Sequence, residues 1–114
     1  IDPGTRIYFH KDSGLWVGPG ASLQVNGELS TDPELLENEV VFEGDRLEPI
    51  FSGIPGQWGT IWLFEGSLDN IFNYATIKNA TVGILSDGNP DEVTPKLSIN
   101  NSQLYNHSNF GVLG

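Results

Sequence analysis

Few residues in this chain have catalytic chemistry to offer. Histidine stands only at His10 and His107, and the bases are Arg6, Lys11, Arg46, Lys78 and Lys96. A nucleophilic relay needs Ser, His and Asp to converge, and no spacing here brings them together. The segment Asp87-Gly-Asn89-Pro-Asp91-Glu92 sets hard oxygens at alternate positions of a turn. Asp87, Asn89 and Asp91 therefore read as a candidate Ca2+ site. The distal Glu of a calcium loop is missing, so a plain solvated acidic turn competes with that reading. Asp12, Asp45 and Asp69 show no ligand spacing. With no Cys, neither a disulfide nor a thiolate metal site can form. Exposed rings are the stronger signal. Tyr8, Trp16, Trp62 and Phe64 alternate with aliphatic neighbours, and Lys78 and Tyr105 occupy matching positions further on. Ring faces beside polar groups can stack on sugar C–H groups. Lateral packing under a loop or partner explains them equally well.

The elements that must hold these side chains are short. In the stretch Pro55 to Leu85, Ile61 and Leu63 alternate with Trp62 and Phe64; Phe72 and Tyr74 follow, then Ile77, then Gly83-Ile84-Leu85. Gly, Asn, Asp and Ser separate these pieces, and no helical period runs through them. Upstream, Ile7 and Phe9, Leu15 and Val17, and Leu23 and Val25 form three similar pieces, with Tyr8, Trp16 and Gln24 turned the other way. Residues 4–27 should form one coil and part of the next. Strands of two to four residues between tight turns suit a solenoid, in which each stacks on its equivalent one coil later.

Recurrence supports this. Tyr74 to Leu85 aligns with Asn101 to Leu113 at an offset of 27 to 28 residues. Ile77 falls on Leu104, Asn79 on Asn106, Ala80 on His107 and Thr81 on Ser108. After one inserted residue, Val82-Gly83-Ile84-Leu85 falls on Phe110-Gly111-Val112-Leu113. Asn79, Asn106, Gly83 and Gly111 are expected to serve the turns. Stacked Asn side chains can bond one another there, and Asn tolerates a left-handed backbone. The formal glycosylation sequons at Asn79, Asn100 and Asn106 reflect the abundance of Asn in such turns. Trp58, between Gln57 and Gly59, is expected to pack where only Gly leaves room.

The segments GQWGTIWLFEGSLDNIFNYATIKNATVGI and LSINNSQLYNHSNFGVLG, with the lead-ins PGTRIYFHKDSGLWVGPGASLQVNG and VVFEGDRLEPIFSGIPGQW, resemble the right-handed parallel β-helix proteins of Bacteroidota. The resemblance spans nearly the whole chain. It implies an all-β, single-stranded solenoid, here of about four to five coils over residues 1–114. It also implies a secreted or outer-membrane surface protein, often a lipoprotein, with any anchor outside this sequence. Family members pass residues 28–39 with a tighter turn, so ELSTDPELLENE is expected to be an acidic insertion, with Ser30 or Thr31 capping one helical turn over Pro33 to Leu36. Residues 86–96 should form a polar loop between coils. Enzymes on this fold resemble pectate lyases, with calcium carboxylates and a Lys or Arg base, or polygalacturonases, with clustered Asp. Neither set is recognisable here.

Charge narrows the partners. Fifteen acids against five bases give a formal net charge of −10 over 114 residues. Phosphate backbones and anionic membranes both demand clustered Lys and Arg, which excludes nucleic acid. No apolar run approaches a membrane span, so no direct membrane insertion is expected. Eight of the acids lie between Glu28 and Glu48, in a solvated or partner-contacting loop. A solenoid this short wants caps. We expect a piece of a longer solenoid, whose coil ends dock to further coils or a partner chain. The function expected is a non-catalytic module binding glycan or another surface protein. A lyase or hydrolase fragment and a structural subunit of an outer-membrane assembly are the alternatives.

Overall fold

The computed structural model describes residues 1–32, 36–46, 48, 50, 53–67, 69–87, 97–105, 107–108 and, as backbone, 110–113. The described elements are all strands: β1 (Arg6–Phe9), β2 (Leu15–Val17), β3 (Gln24–Asn26), β4 (Val40–Gly44), β5 (Ile61–Leu63), β6 (Asn70–Asn73), β7 (Ala75–Lys78), β8 (Val82–Ser86), β9 (Leu97–Asn100), β10 (Gln103–Tyr105) and β11 (Phe110–Leu113). They form three sheets: β1-β4-β7-β10 (sheet A), β2-β5-β8-β11 (sheet B) and β3-β6-β9 (sheet C). All strand pairs are parallel. The chain visits A, then B, then C, and returns to A. Each strand thus pairs with the one three places later. Parallel pairing forbids a tight hairpin and requires a crossover; here the other two sheets supply it.

Register stacks like on like. Ile7, Phe42, Ile77 and Leu104 share one column of sheet A. Leu15, Ile61, Ile84 and Val112 share one of sheet B. Val25, Phe72 and Ile99 share one of sheet C. The repeat alignment is reproduced in these pairs: Ile77 meets Leu104, and Val82, Ile84 and Leu85 meet Phe110, Val112 and Leu113. Phe42, Ile61, Leu63, Phe72, Ile77 and Ile84 are fully buried, each stabilising the fold by about 1.5–3 kcal/mol. Aromatic rings run through the core. Phe9 stacks on Trp58 with centroids 4.2 Å apart, and Phe42 lies 6.4 Å from Phe9 and 6.2 Å from Phe72. Trp58 is buried as expected, and its Nε1–H donates to the Lys78 carbonyl at 2.9 Å.

Corners explain where the strands stop. Asn26, Asn73 and Asn100 stack in register at the end of sheet C. The next residue turns the chain into the following pass. Tyr74 and Asn101 do so with φ of 49° and 51°. At Gly27 a Cβ would sit 2.2 Å from the Tyr74 carbonyl oxygen, so only glycine fits. Asn79 turns the corner between β7 and β8 with φ 66° and is buried. An amide side chain tolerates that left-handed backbone better than most.

Several expectations need correction. Tyr74 is not a strand residue alternating with Phe72; it is the single link between β6 and β7. Gly83 and Gly111 do not form turns but lie inside β8 and β11. Gly83 falls one residue before the Ile61–Ile84 pair, level with Thr60 and Gly14. Backbones crowd at that level, for a Cβ on Gly14 would meet the Thr60 carbonyl oxygen at 2.4 Å. Residues 4–27 make one pass over the three sheets. The described Asn stack is Asn26, Asn73 and Asn100; Asn106 lies outside the described residues. So do Pro33 to Leu35 of the expected helical turn and residues 88–96 of the polar loop, whose first residue, Ser86, closes β8. Residues 27–39, with the expected acidic insertion 28–39 among them, connect β3 to β4, where Tyr74 alone connects β6 to β7.

Candidate functional site

The aromatic candidates divide between two outer faces. Alternation in β5 turns Ile61 and Leu63 into the core and leaves Trp62 outside. In β2, Val17 is buried and Trp16 is 62% exposed. Trp16 and Trp62 are register partners on adjacent strands of sheet B, and Leu85 continues the row. Phe64 follows β5 on the same side. Its ring stacks on Trp62, with centroids 4.6 Å apart and planes 17° apart. The Trp62 Nε1–H donates to Asp87 Oδ2 at 2.8 Å. Asp87 is itself fixed by its backbone N–H to the Leu63 carbonyl at 2.9 Å. Trp62 is thus held by a carboxylate and by the Phe64 ring stacked on it, and Trp16 stands exposed on the neighbouring strand.

Tyr8, Lys78 and Tyr105 belong to sheet A instead. Tyr8 pairs with Glu43, and Lys78 pairs with Tyr105. Glu43 lies between two cations, with Arg6 Nη1 and Lys78 Nζ each 3.7 Å from its Oε2. The Lys78 ammonium, read from sequence as a ligand group, therefore has an internal partner. Sheet A is also partly covered. Val41 and Thr76, a register pair on its outward side, are fully buried. The Thr76 hydroxyl donates to Glu39 Oε1 at 3.3 Å. A Val beside Phe42 in sequence gave no alternating pattern from which this cover could be read.

Of the proposed calcium ligands, Asp87 serves the Trp62 indole, while Asn89 and Asp91 lie outside the described residues. Among the described residues no three His, Cys, Asp or Glu groups gather as a metal site. Also among the described residues, no helix is long and apolar enough to cross a membrane.

The two histidines have structural partners. His10 Nδ1 lies 2.5 Å from Asp45 Oδ2 at an exposed corner. His107 Nδ1 accepts the Ala80 backbone N–H at 3.2 Å, one pass away. The neutral ring therefore carries its proton on Nε2, which is buried and has no partner among the described residues. Burial pushes this imidazole below its ordinary 6.5, against backbone contacts with Ala80 and Ile77 that act the other way. A charged His107 would be desolvated. Its place is at a corner between passes.

The acidic connection is tied to itself. Glu37 Oε1 accepts from the Thr31 hydroxyl, and from the Thr31 and Asp32 backbone N–H groups at 2.8 and 3.2 Å. Ser30 Oγ accepts the Asn38 N–H at 3.0 Å. The Thr31 hydroxyl, followed by backbone N–H groups, holds the Glu37 carboxyl down at about 2.

No protein-family model matches the chain, and neither the curated proteins nor the solved structures offer a match.

Proposed function

We propose that sheets A, B and C are the faces of a right-handed parallel β-helix. In this reading the chain is a non-catalytic, secreted or surface-displayed module that binds glycan through sheet B. The cyclic order of sheets supports the winding, since parallel strands joined by crossovers within one sheet are right-handed in about 98% of cases. The resemblance to Bacteroidota β-helix proteins supports the location. One observation carries the function: exposed Trp16 in register with Trp62, whose ring Phe64 and Asp87 hold in place. Adjacent strands lie about 4.8 Å apart, so the held Trp62 ring and the exposed Trp16 ring beside it offer an apolar strip to the flat face of a sugar. Rigid aromatic anchors bind at low entropic cost.

Calorimetric titration with neutral β-linked oligosaccharides tests this. Trp16→Ala should weaken binding at least tenfold, while Tyr8→Ala on sheet A should leave it unchanged. Wild-type affinity in both Trp16→Ala and Phe64→Ala would end the glycan reading.

A second reading, docking of a partner chain, rests on a separate observation. The half-buried apolar residues against the core are Ile1, Ile7, Leu15, Leu23, Leu97, Ile99 and Leu104. Apart from Ile1, they belong to or adjoin the outermost strands β1, β2, β3, β9 and β10. Open strand edges beside unfinished apolar columns suit a partner strand. Protection of the β10 amides in a purified complex supports this reading, and unchanged exchange there counts against it.

A further inference from the structure

The connection from β4 to β5, residues 45–60, is far longer than its counterparts, residues 10–14 and 79–81. An open cleft of about 250 Å³ is lined by Arg46, Ile54, Pro55, Gly56 and Gln57 of this connection and by Lys11. Two of the five basic residues of a strongly acidic chain therefore meet at one opening.

The floor is fixed. The Gly56 and Gln57 N–H groups donate to the Ala80 and Asn79 carbonyls at 3.3 and 2.7 Å, which pins the segment to the next corner. Gln57 Nε2 closes back on the Ile54 carbonyl at 2.8 Å. The Gln57 side chain fills the space beside Gly44, and Gly56 holds φ of 76°. A site fixed in this way loses little freedom on binding.

We propose that this cleft binds a small monocarboxylate with a compact apolar body. The carboxylate meets Lys11 and Arg46, and the body lies against Ile54 and Pro55. Arg46 already engages a neighbour, but a guanidinium carries five donors in a planar fork suited to carboxylate. Asp45, beside Arg46, faces His10, which leaves the two cations less opposed. A net charge of −10 repels a dianion more than a monoanion, and the apolar wall gives inorganic phosphate nothing to contact. The volume equals that of about eight waters, at about 30 Å³ each, ample for one six-membered ring. The cleft lies at the corner before sheet B, so the proposal does not rest on the Trp16 platform.

The probe is cyclohexanecarboxylate, titrated against the folded chain while amide shifts of Lys11, Gly56 and Gln57 are followed. Cyclohexylmethanol and inorganic phosphate serve as comparison ligands. We expect carboxylate to bind at least tenfold more tightly than either. Arg46→Gln and Lys11→Gln should each weaken it several-fold, and Trp16→Ala should not change it. Both are exposed positions, and a retained amide spectrum shows that the variants fold. Equal binding of the neutral alcohol, equal binding of phosphate, or undiminished binding by the Lys11→Gln, Arg46→Gln double variant would each overturn the proposal.

Discussion

Trp58 shows how much one side chain can join. Its ring stacks on Phe9, its indole N–H satisfies the Lys78 carbonyl, and its backbone bridges Ala80 of the next pass. Trp58→Ala should cost about 3–5 kcal/mol, as for large aromatic deletions in cores. Trp58→Phe keeps a ring but leaves the carbonyl unpaired, and should cost about 1–3 kcal/mol. Urea unfolding measures both; near-wild-type stability in Trp58→Ala would show that the corner does not depend on the ring. His107 makes stability depend on pH. Its folded-state value lies below the ordinary 6.5, so on acidification the unfolded chain binds the proton first. Stability is then full above 6.5 and falls as pH drops from 6.5 towards the folded value. His107→Gln should show a shallower decline of the urea midpoint between pH 7.5 and 5 than wild type. Parallel declines would mean that His107 is not the group responsible.

At the scale of elements, strand length and corner chemistry explain each other. Three to five residues per strand suffice because each is paired on both sides within the sheets, except at their edges. The corners must turn in one to three residues where the passes are tight, and there Tyr74, Asn79 and Asn101 take left-handed backbones. The connection 27–39 uses another device, a carboxylate that gathers N–H and hydroxyl donors. Glu37 is held at about 2 against an ordinary 4.5. The stabilisation it gives is therefore present above pH 4.5 and lost as pH falls towards about 2. Because the group is solvent-exposed, the effect is local. Glu37→Gln should speed amide exchange at Thr31, Asp32 and Asn38 at neutral pH while leaving β5 and β7 protected. Unchanged exchange at Thr31 and Asp32 would show that backbone bonds alone hold the loop.

For the whole molecule, charge and edges dominate. Fifteen acids on 114 residues repel one another, and at about 0.1–0.15 M salt exposed charges more than about 8–10 Å apart are largely screened. Raising NaCl from 20 to 300 mM should raise the melting temperature by a few degrees. A fall would mean that ion pairs such as Arg6–Glu43–Lys78 outweigh the general repulsion. Half-buried Leu97, Ile99 and Leu104 on one side and Ile7, Leu15 and Leu23 on the other show that the core is least complete at the outermost strands. The central pass, β4 to β6, holds the fully buried Phe42, Ile61, Leu63 and Phe72.

The sequence alone determined the strand character, the parallel repeat and much of its register. Ile77 over Leu104 and Val82 to Leu85 over Phe110 to Leu113 are legible because the connections between those passes are short, so spacing in the chain equals spacing in the stack. It also determined that Trp62 leaves the core, since alternation with Ile61 and Leu63 permits nothing else. Only the tertiary structure decided that Trp16 and Trp62 share a row while Tyr8, Lys78 and Tyr105 line another sheet. The long connections 27–39 and 45–60 destroy the offset between the first two passes, and there the register is set by core columns and corner hydrogen bonds. The burial of Val41, the engagement of Lys78 and Asp87, and the cleft beneath Gly56 follow from the same cause. Each depends on residues that meet across passes, and no local pattern records which pass lies beside which.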